Sequence, residues 1–168
     1  FREDYGIRYN YVAGAMANGI ASVDLVEAFA RGGMLSFFGA AGLDPATVER
    51  AVDDLQARLG DTPFGVNLIH SPSESSTEEA IVDLLIRNGV RLVEASAYLA
   101  LTPAVVKYRL HGIHRDASGR VVAPNRVVAK VSRVEVATRF MSPAPEKVLA
   151  KLLERGDITP EQAALSQE

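Results

Sequence analysis

The sequence contains no cysteine in its 168 residues. That excludes a disulfide framework, thiolate zinc and iron–sulfur sites, and a cysteine nucleophile. A disulfide-free chain fits the cytosol, and a cytoplasmic location is expected. Basic residues are not in excess: 18 Lys and Arg stand against 21 Asp and Glu, for a net charge of -3. A broad nucleic-acid face needs clustered Lys and Arg, so no nucleic-acid partner is expected. No apolar run approaches the ~20 residues of a membrane span. The opening FREDYGIRYN is charged and aromatic, unlike a signal peptide, so no membrane partner is expected either. The chain opens on Phe1 rather than Met, which points to residues upstream. Its three histidines lack the spacing of a helical metal site, and no metal is expected. A Walker loop, a G-x-G-x-x-G fingerprint and a G-x-S-x-G elbow are all missing.

What is present is a regular alternation of apolar runs and capped helices. Hydrophobic residues make up 48% and charged residues 23% of the chain, values that suit one globular domain with a sizeable core. Short apolar runs at Tyr11 to Met16, Met34 to Ala40, Phe64 to Ile69, Arg91 to Ser96 and Arg126 to Ser132 predict strands. Between them, Ser22, Asp44-Pro45, a Ser76 to Glu79 capping box, and Thr102-Pro103 predict helix starts. Gly32-Gly33, Gly60, Asn88-Gly89 and Gly112 end those helices. Asp116 to Gly119 reads as a turn in a polar excursion. After the fifth strand come helices over Val134 to Phe140 and Glu146 to Arg155, with one more starting at Thr159-Pro160.

Strands alternating with helices imply a parallel sheet. Length favours a complete doubly wound sheet, since a (β/α)₈ barrel typically needs ~250 residues. Side-chain parity favours the barrel. Val127, Ala129 and Val131 share one face of the fifth strand, and Val128, Lys130 and Ser132 the other. In the fourth strand Val93 and Ala95 oppose Leu92, Glu94 and Ser96; in the third, Val66 and Leu68 oppose Gly65, Asn67 and Ile69. Each strand has one apolar face and one that turns polar toward its C-terminal end. A doubly wound sheet, covered on both sides, should be apolar on both.

Glu94 and Lys130 fall at comparable heights on consecutive strands, which predicts an ion pair across the mouth, structural or catalytic. The GAMANG run from Gly14 to Gly19 would let a flat ring or a phosphate approach the backbone; a tight strand-to-helix turn explains it equally. Asn67 can donate and accept at once, which suits a heteroaromatic edge or the loop's own backbone. His70 is a candidate general acid or base, or a solvated loop residue. His111 and His114 do not read as ligands.

The runs VAGAMANGIAS, SFFGAAGL, FGVNLIHSPSE, VRLVEASAYLALTP, RVVAKVSR and FMSPAPEKVL resemble the flavin-dependent enoyl reductases of polyunsaturated fatty acid synthases and trans-acyltransferase polyketide synthases. These lie within the nitronate monooxygenase (2-nitropropane dioxygenase)-like barrels. The resemblance covers essentially the whole chain. It implies an α/β (β/α)₈ TIM barrel of which this chain supplies roughly the first five βα units plus following helices. Residues 1–141 would form the N-terminal part of the FMN-binding barrel, and residues 142–168 the start of an inserted helical segment. A Gly-Gly-His strand end and the strands that cradle the FMN phosphate would lie beyond Glu168, so the chain is expected to be an N-terminal part of the enzyme. FMN and NADPH (or NADH) are the implied cofactors. An acyl carrier protein bearing an enoyl-thioester, the remainder of the barrel and a second copy in a homodimer are the implied partners. By match to the family, the backbone of Gly14, Ala15 and Met16 would face the flavin. Asn67, Glu94, Ser96 and Lys130 would line the cofactor, and His70 and Lys130 would carry catalytic roles. A nitronate monooxygenase-like oxidoreductase and a non-catalytic docking module of a megasynthase are the alternatives.

Overall fold

The computed structural model describes residues 1–72 and 75–168. Ser73 and Glu74, part of the HSPSE motif, lie outside the described residues. A short helix α1 (Arg2–Tyr5) leads into β1 (Val12–Ala13), α2 (Val23–Arg31), β2 (Leu35–Phe38), α3 (Pro45–Leu59), β3 (Gly65–Ile69), α4 (Ser75–Arg87), β4 (Leu92–Ser96) and α5 (Pro103–Leu110). A hairpin of β5 (His114–Arg115) and β6 (Val121–Val122) precedes β7 (Arg126–Ala129), and α6 (Val134–Phe140), α7 (Glu146–Glu154) and α8 (Pro160–Leu165) follow.

The helix starts follow local chemistry. Ser22, Asp44, Thr102 and Thr159 each accept a backbone N–H from the first turn of the helix they open. The Ser76 to Glu79 capping box does not form: α4 already begins at Ser75, and the Glu79 carboxylate is drawn to the Arg155 guanidinium at 2.8 and 3.0 Å. The run Tyr11 to Met16 is strand only at Val12 and Ala13. Beyond them the chain turns, and the Met16 carbonyl accepts the Ala21 N–H at 3.2 Å. The polar excursion is a two-stranded hairpin, its turn tied by Asp116 Oδ1 to the N–H groups of Ser118 and Arg120.

Five strands form one parallel sheet in the order β1-β2-β3-β4-β7. This sequential order is that of an arc of a (β/α) barrel and rules out the doubly wound alternative, whose strand order reverses. Parity holds as expected. Val66, Leu68, Val93, Ala95 and Val127 face outward into the main core with Val26, Val52, Leu55, Leu85 and Val105 of the covering helices. Each fully buried Val or Leu among them contributes about 1.5–3 kcal/mol. Leu35, Phe37, Leu92 and Val128 face inward and cluster separately with Tyr5 and Ile7. Phe37 reaches over β3 because residue 65 is glycine: a Cβ there would collide with the Phe37 ring. Arg126, stacked over Tyr5, donates to the Asp4 carbonyl, so the N-terminal segment packs across the start of the inner face.

Candidate active site at the C-terminal mouth

On the inner face the polar residues gather toward the C-terminal ends of β3 and β4. Asn67 pairs in register with Glu94, and Ile69 with Ser96. Asn67, Glu94 and Ser96 are all buried. The Asn67 Nδ2 group donates to the Glu94 carbonyl at 3.1 Å and to Ser96 Oγ at 2.9 Å. Both amide hydrogens are therefore spent on β4, and Oδ1 is the atom left to meet a ligand.

Glu94 is the hub of this group. Its Oε2 accepts from Lys130 Nζ and from the Ala15 N–H, both at 3.1 Å. The pair expected between neighbouring strands is present, with Lys130 one residue past the end of β7 and its own N–H bonded to the Ala95 carbonyl. Gly14 lies so close that a Cβ there would come within 2.9 Å of Glu94 Oε1. Met16, next along, exposes its side chain. Clefts of about 410 Å³ and 250 Å³ flank the group. One runs past Asn67, Ile69 and Ala40 to Pro45; the other lies between Ala97 to Leu99 and Lys130 to Arg133. A larger apolar groove lies apart from this group, on the outward side of β7 beside α5 and Met141 to Ala144.

His70 is not part of this cluster. It continues the outward parity of Leu68, and its Nδ1 meets Glu78 Oε2 of α4 at 2.8 Å. Tyr98 and Thr102 donate their hydroxyls to Glu78 Oε1. The imidazole stacks on the Tyr98 ring at 5.3 Å, and Phe140 closes edge-on over Tyr98 at 5.8 Å. As a carboxylate, Glu78 accepts only, so Nδ1 carries its hydrogen and Nε2 is the nitrogen that can exchange one. Burial, and next the Glu78 charge, hold the Tyr98 hydroxyl far above the ordinary tyrosine range. Ser96 and Tyr98 would share a face in a regular strand, yet one turns inward and the other outward. Ala97 breaks the alternation with a left-handed backbone, φ 64°.

Sequence reasoning missed Glu78, Tyr98 and Thr102 as a group. The signal was there: Glu78 stands on the buried stripe of α4 with Ile81, Val82 and Leu85, where a charged residue needs partners. Among the described residues no cluster of His, Asp or Glu is arranged to hold a metal, and no helix is long and apolar enough to cross a membrane.

Fold and mouth together define a run of (β/α)-barrel units with a buried polar cluster at the carboxyl ends of the strands, where barrel enzymes carry their sites. Comparison with known proteins narrows this class. No known family profile matches. The chain is 46% identical over 166 residues to the polyketide biosynthesis protein PksE of Bacillus subtilis, covering 98% of this chain and 22% of that protein. It is 50% identical over 167 residues to a polyunsaturated fatty acid synthase polypeptide of Thraustochytrium sp., covering 99% of this chain and 11% of that protein. Among solved structures, the enoyl reductase domain of MlnA, from the macrolactin cluster of Bacillus amyloliquefaciens, superimposes with a TM-score of 0.95 at 40% identity. That match takes in 99% of this chain and 38% of the other. The M276A mutant of FabK from Thermotoga maritima shares the fold, with a TM-score of 0.64 at 21% identity over 81% of this chain and 40% of the other. The chain is thus a homologue of an enoyl reductase domain and of proteins of polyketide and polyunsaturated fatty acid synthesis.

Proposed function

We propose that this chain is the N-terminal part of an FMN-dependent enoyl reductase acting on acyl chains held by an acyl carrier protein in polyketide or polyunsaturated fatty acid synthesis. The likeness to the MlnA enoyl reductase domain over 99% of the chain carries the reading. The mouth suits it. Gly14 lies flush against Glu94, where a side chain would have no room, so the backbone after β1 and the buried carboxylate pack directly on each other at the mouth. Exposed Met16, Ile69 and Leu99 supply apolar surface for an acyl chain. Residues 1–141 would belong to the barrel and residues 142–168 to the start of an inserted helical segment. The remainder of the barrel, a second copy in a homodimer and a cytoplasmic setting complete the proposal.

FMN, when bound, would relay hydride from NADPH or NADH to the enoyl double bond. This chain's residues would prepare its place. The backbone of Gly14, Ala15 and Met16 would face the ring, with the Ala15 N–H already committed to Glu94. Asn67 would offer Oδ1, oriented by its bonds to Glu94 and Ser96. Lys130 would set a positive charge beside the ring's pyrimidine edge. His70, turned from the polar cluster and held at Nδ1 by Glu78, would support the rim instead of serving the catalytic role that the resemblance implied.

The test uses the full-length protein that contains this chain. It should be yellow with an FMN spectrum, bleach with NADPH in the absence of oxygen, and recover its colour with an enoyl-thioester. Protein that takes up no FMN would overturn the reading in favour of a docking module, and recovery with a nitronate alone would favour a monooxygenase. Lys130→Ala should lower the flavin midpoint by ~20 mV, the equivalent of roughly 1 kcal/mol at a half-exposed charge.

A further inference from the structure

A carboxylate inside a barrel mouth is costly unless its lone pairs are used. Glu94 uses one oxygen twice: Oε2 accepts from the backbone after β1 and from the ammonium after β7, each at 3.1 Å. Its Oε1 side lies against Gly14. One side chain on β4 thereby determines where the Gly14–Ala15 backbone runs and where Lys130 points. The pair is unequal in burial. The Glu94 side chain is 4% exposed and that of Lys130 53%, so the carboxylate is the fixed member and the ammonium the tethered one.

Resting on the proposed FMN site, we infer that Glu94 is a positioning residue with two separable effects. Through the Ala15 N–H it holds the floor on which the ring lies. Through its charge it offsets part of the Lys130 charge, so that the pair together tunes the preference for reduced over oxidised FMN. Removing the two charges must then shift that preference in opposite directions. Lys130→Met withdraws a cation and disfavours the anionic reduced ring; Glu94→Gln withdraws the opposing anion and favours it. A purely structural brace would move both variants the same way, through looser binding.

The experiment measures the oxidised-FMN Kd by fluorescence quenching and the flavin midpoint by dye titration in the full-length protein. Glu94→Gln keeps an oxygen for the Ala15 N–H, so oxidised FMN should bind within about twofold of wild type. Its ratio of reduced to oxidised affinity should rise about fivefold, where Lys130→Met lowers it about fivefold. The double variant should fall between them. Shifts of the same sign, or none, overturn the tuning. Glu94→Ala removes the acceptor: in the FMN-free protein the Ala15 amide should exchange with solvent at least tenfold faster, and unchanged exchange overturns the tether. If wild-type protein takes up no FMN, the functional reading fails instead, while the exchange measurement still reads the tether.

Discussion

Glu94 and Glu78 are the same residue type, equally buried at 3% and 4% exposure, and both stand at the C-terminal rim of the sheet. Glu94 faces the mouth and divides one oxygen between a backbone N–H and a half-exposed ammonium. Glu78, on α4, takes two hydroxyls and an imidazole, and Phe140 packs edge-on against the Tyr98 ring beside them. Burial of a carboxylate therefore does not by itself mark a working site. What separates the two is the partner. The Lys130 ammonium is half-exposed with hydrogens to spare, whereas the partners of Glu78 are two hydroxyls and an imidazole on the β3–α4 and β4–α5 loops, which they knit together.

The largest test of that contrast is removal of each carboxylate. Glu78→Ala strands two hydroxyls and a histidine and should cost about 3–5 kcal/mol of stability. Glu94→Gln, which retains shape and one acceptor, should cost about 1 kcal/mol. Urea denaturation of both variants checks this, and similar losses would erase the distinction.

Alkaline titration gives the next effect. Burial and the Glu78 charge keep Tyr98 protonated in the folded protein, and burial does the same for Tyr108. In the unfolded chain both release protons above about pH 10. The unfolded state then binds fewer protons, so stability falls as pH rises, by about 1.4 kcal/mol per pH unit for each tyrosine. Tyr98→Phe should remove one of the two contributions to the slope. Equal slopes for variant and wild type between pH 10 and about 11.5 would mean that Tyr98 is not sealed against Glu78 as described.

The smallest effect concerns the residue between the two environments. Ala97 adopts a left-handed backbone that glycine reaches without penalty. Ala97→Gly should raise stability by about 0.5–1 kcal/mol, less what the unfolded chain gains in freedom. A lower melting temperature would show that the methyl group packs more than it strains.

How much of this was legible beforehand can be followed residue by residue. The outward faces of β3, β4 and β7 could be read from Val66, Leu68, Val93, Ala95 and Val127, because side chains alternate along any strand. The caps Ser22, Asp44, Thr102 and Thr159 could be read because capping is settled within one turn. Glu94 and Lys130 could be paired because parallel neighbours share height. The β5–β6 hairpin was not legible, since strands of two residues carry no period. The capping box at Ser76 was misleading, since Glu79 finds Arg155, 76 residues away, instead of the helix start.

The sequence by itself determined the alternation of strands and helices, the apolar and polar faces of the sheet, and the candidate residues of the mouth. All of these follow from side-chain period and cap chemistry, which act over a few residues. Only the tertiary structure decided that the strands lie in sequential order as a barrel arc, that Asn67 spends both donors on β4, and that Glu94 grips the Ala15 N–H 79 residues away. It also turned His70 away from the mouth toward Glu78 and reversed the facing of Tyr98 through Ala97. These depend on which distant groups meet in three dimensions and on one backbone torsion that no pattern of residue types encodes.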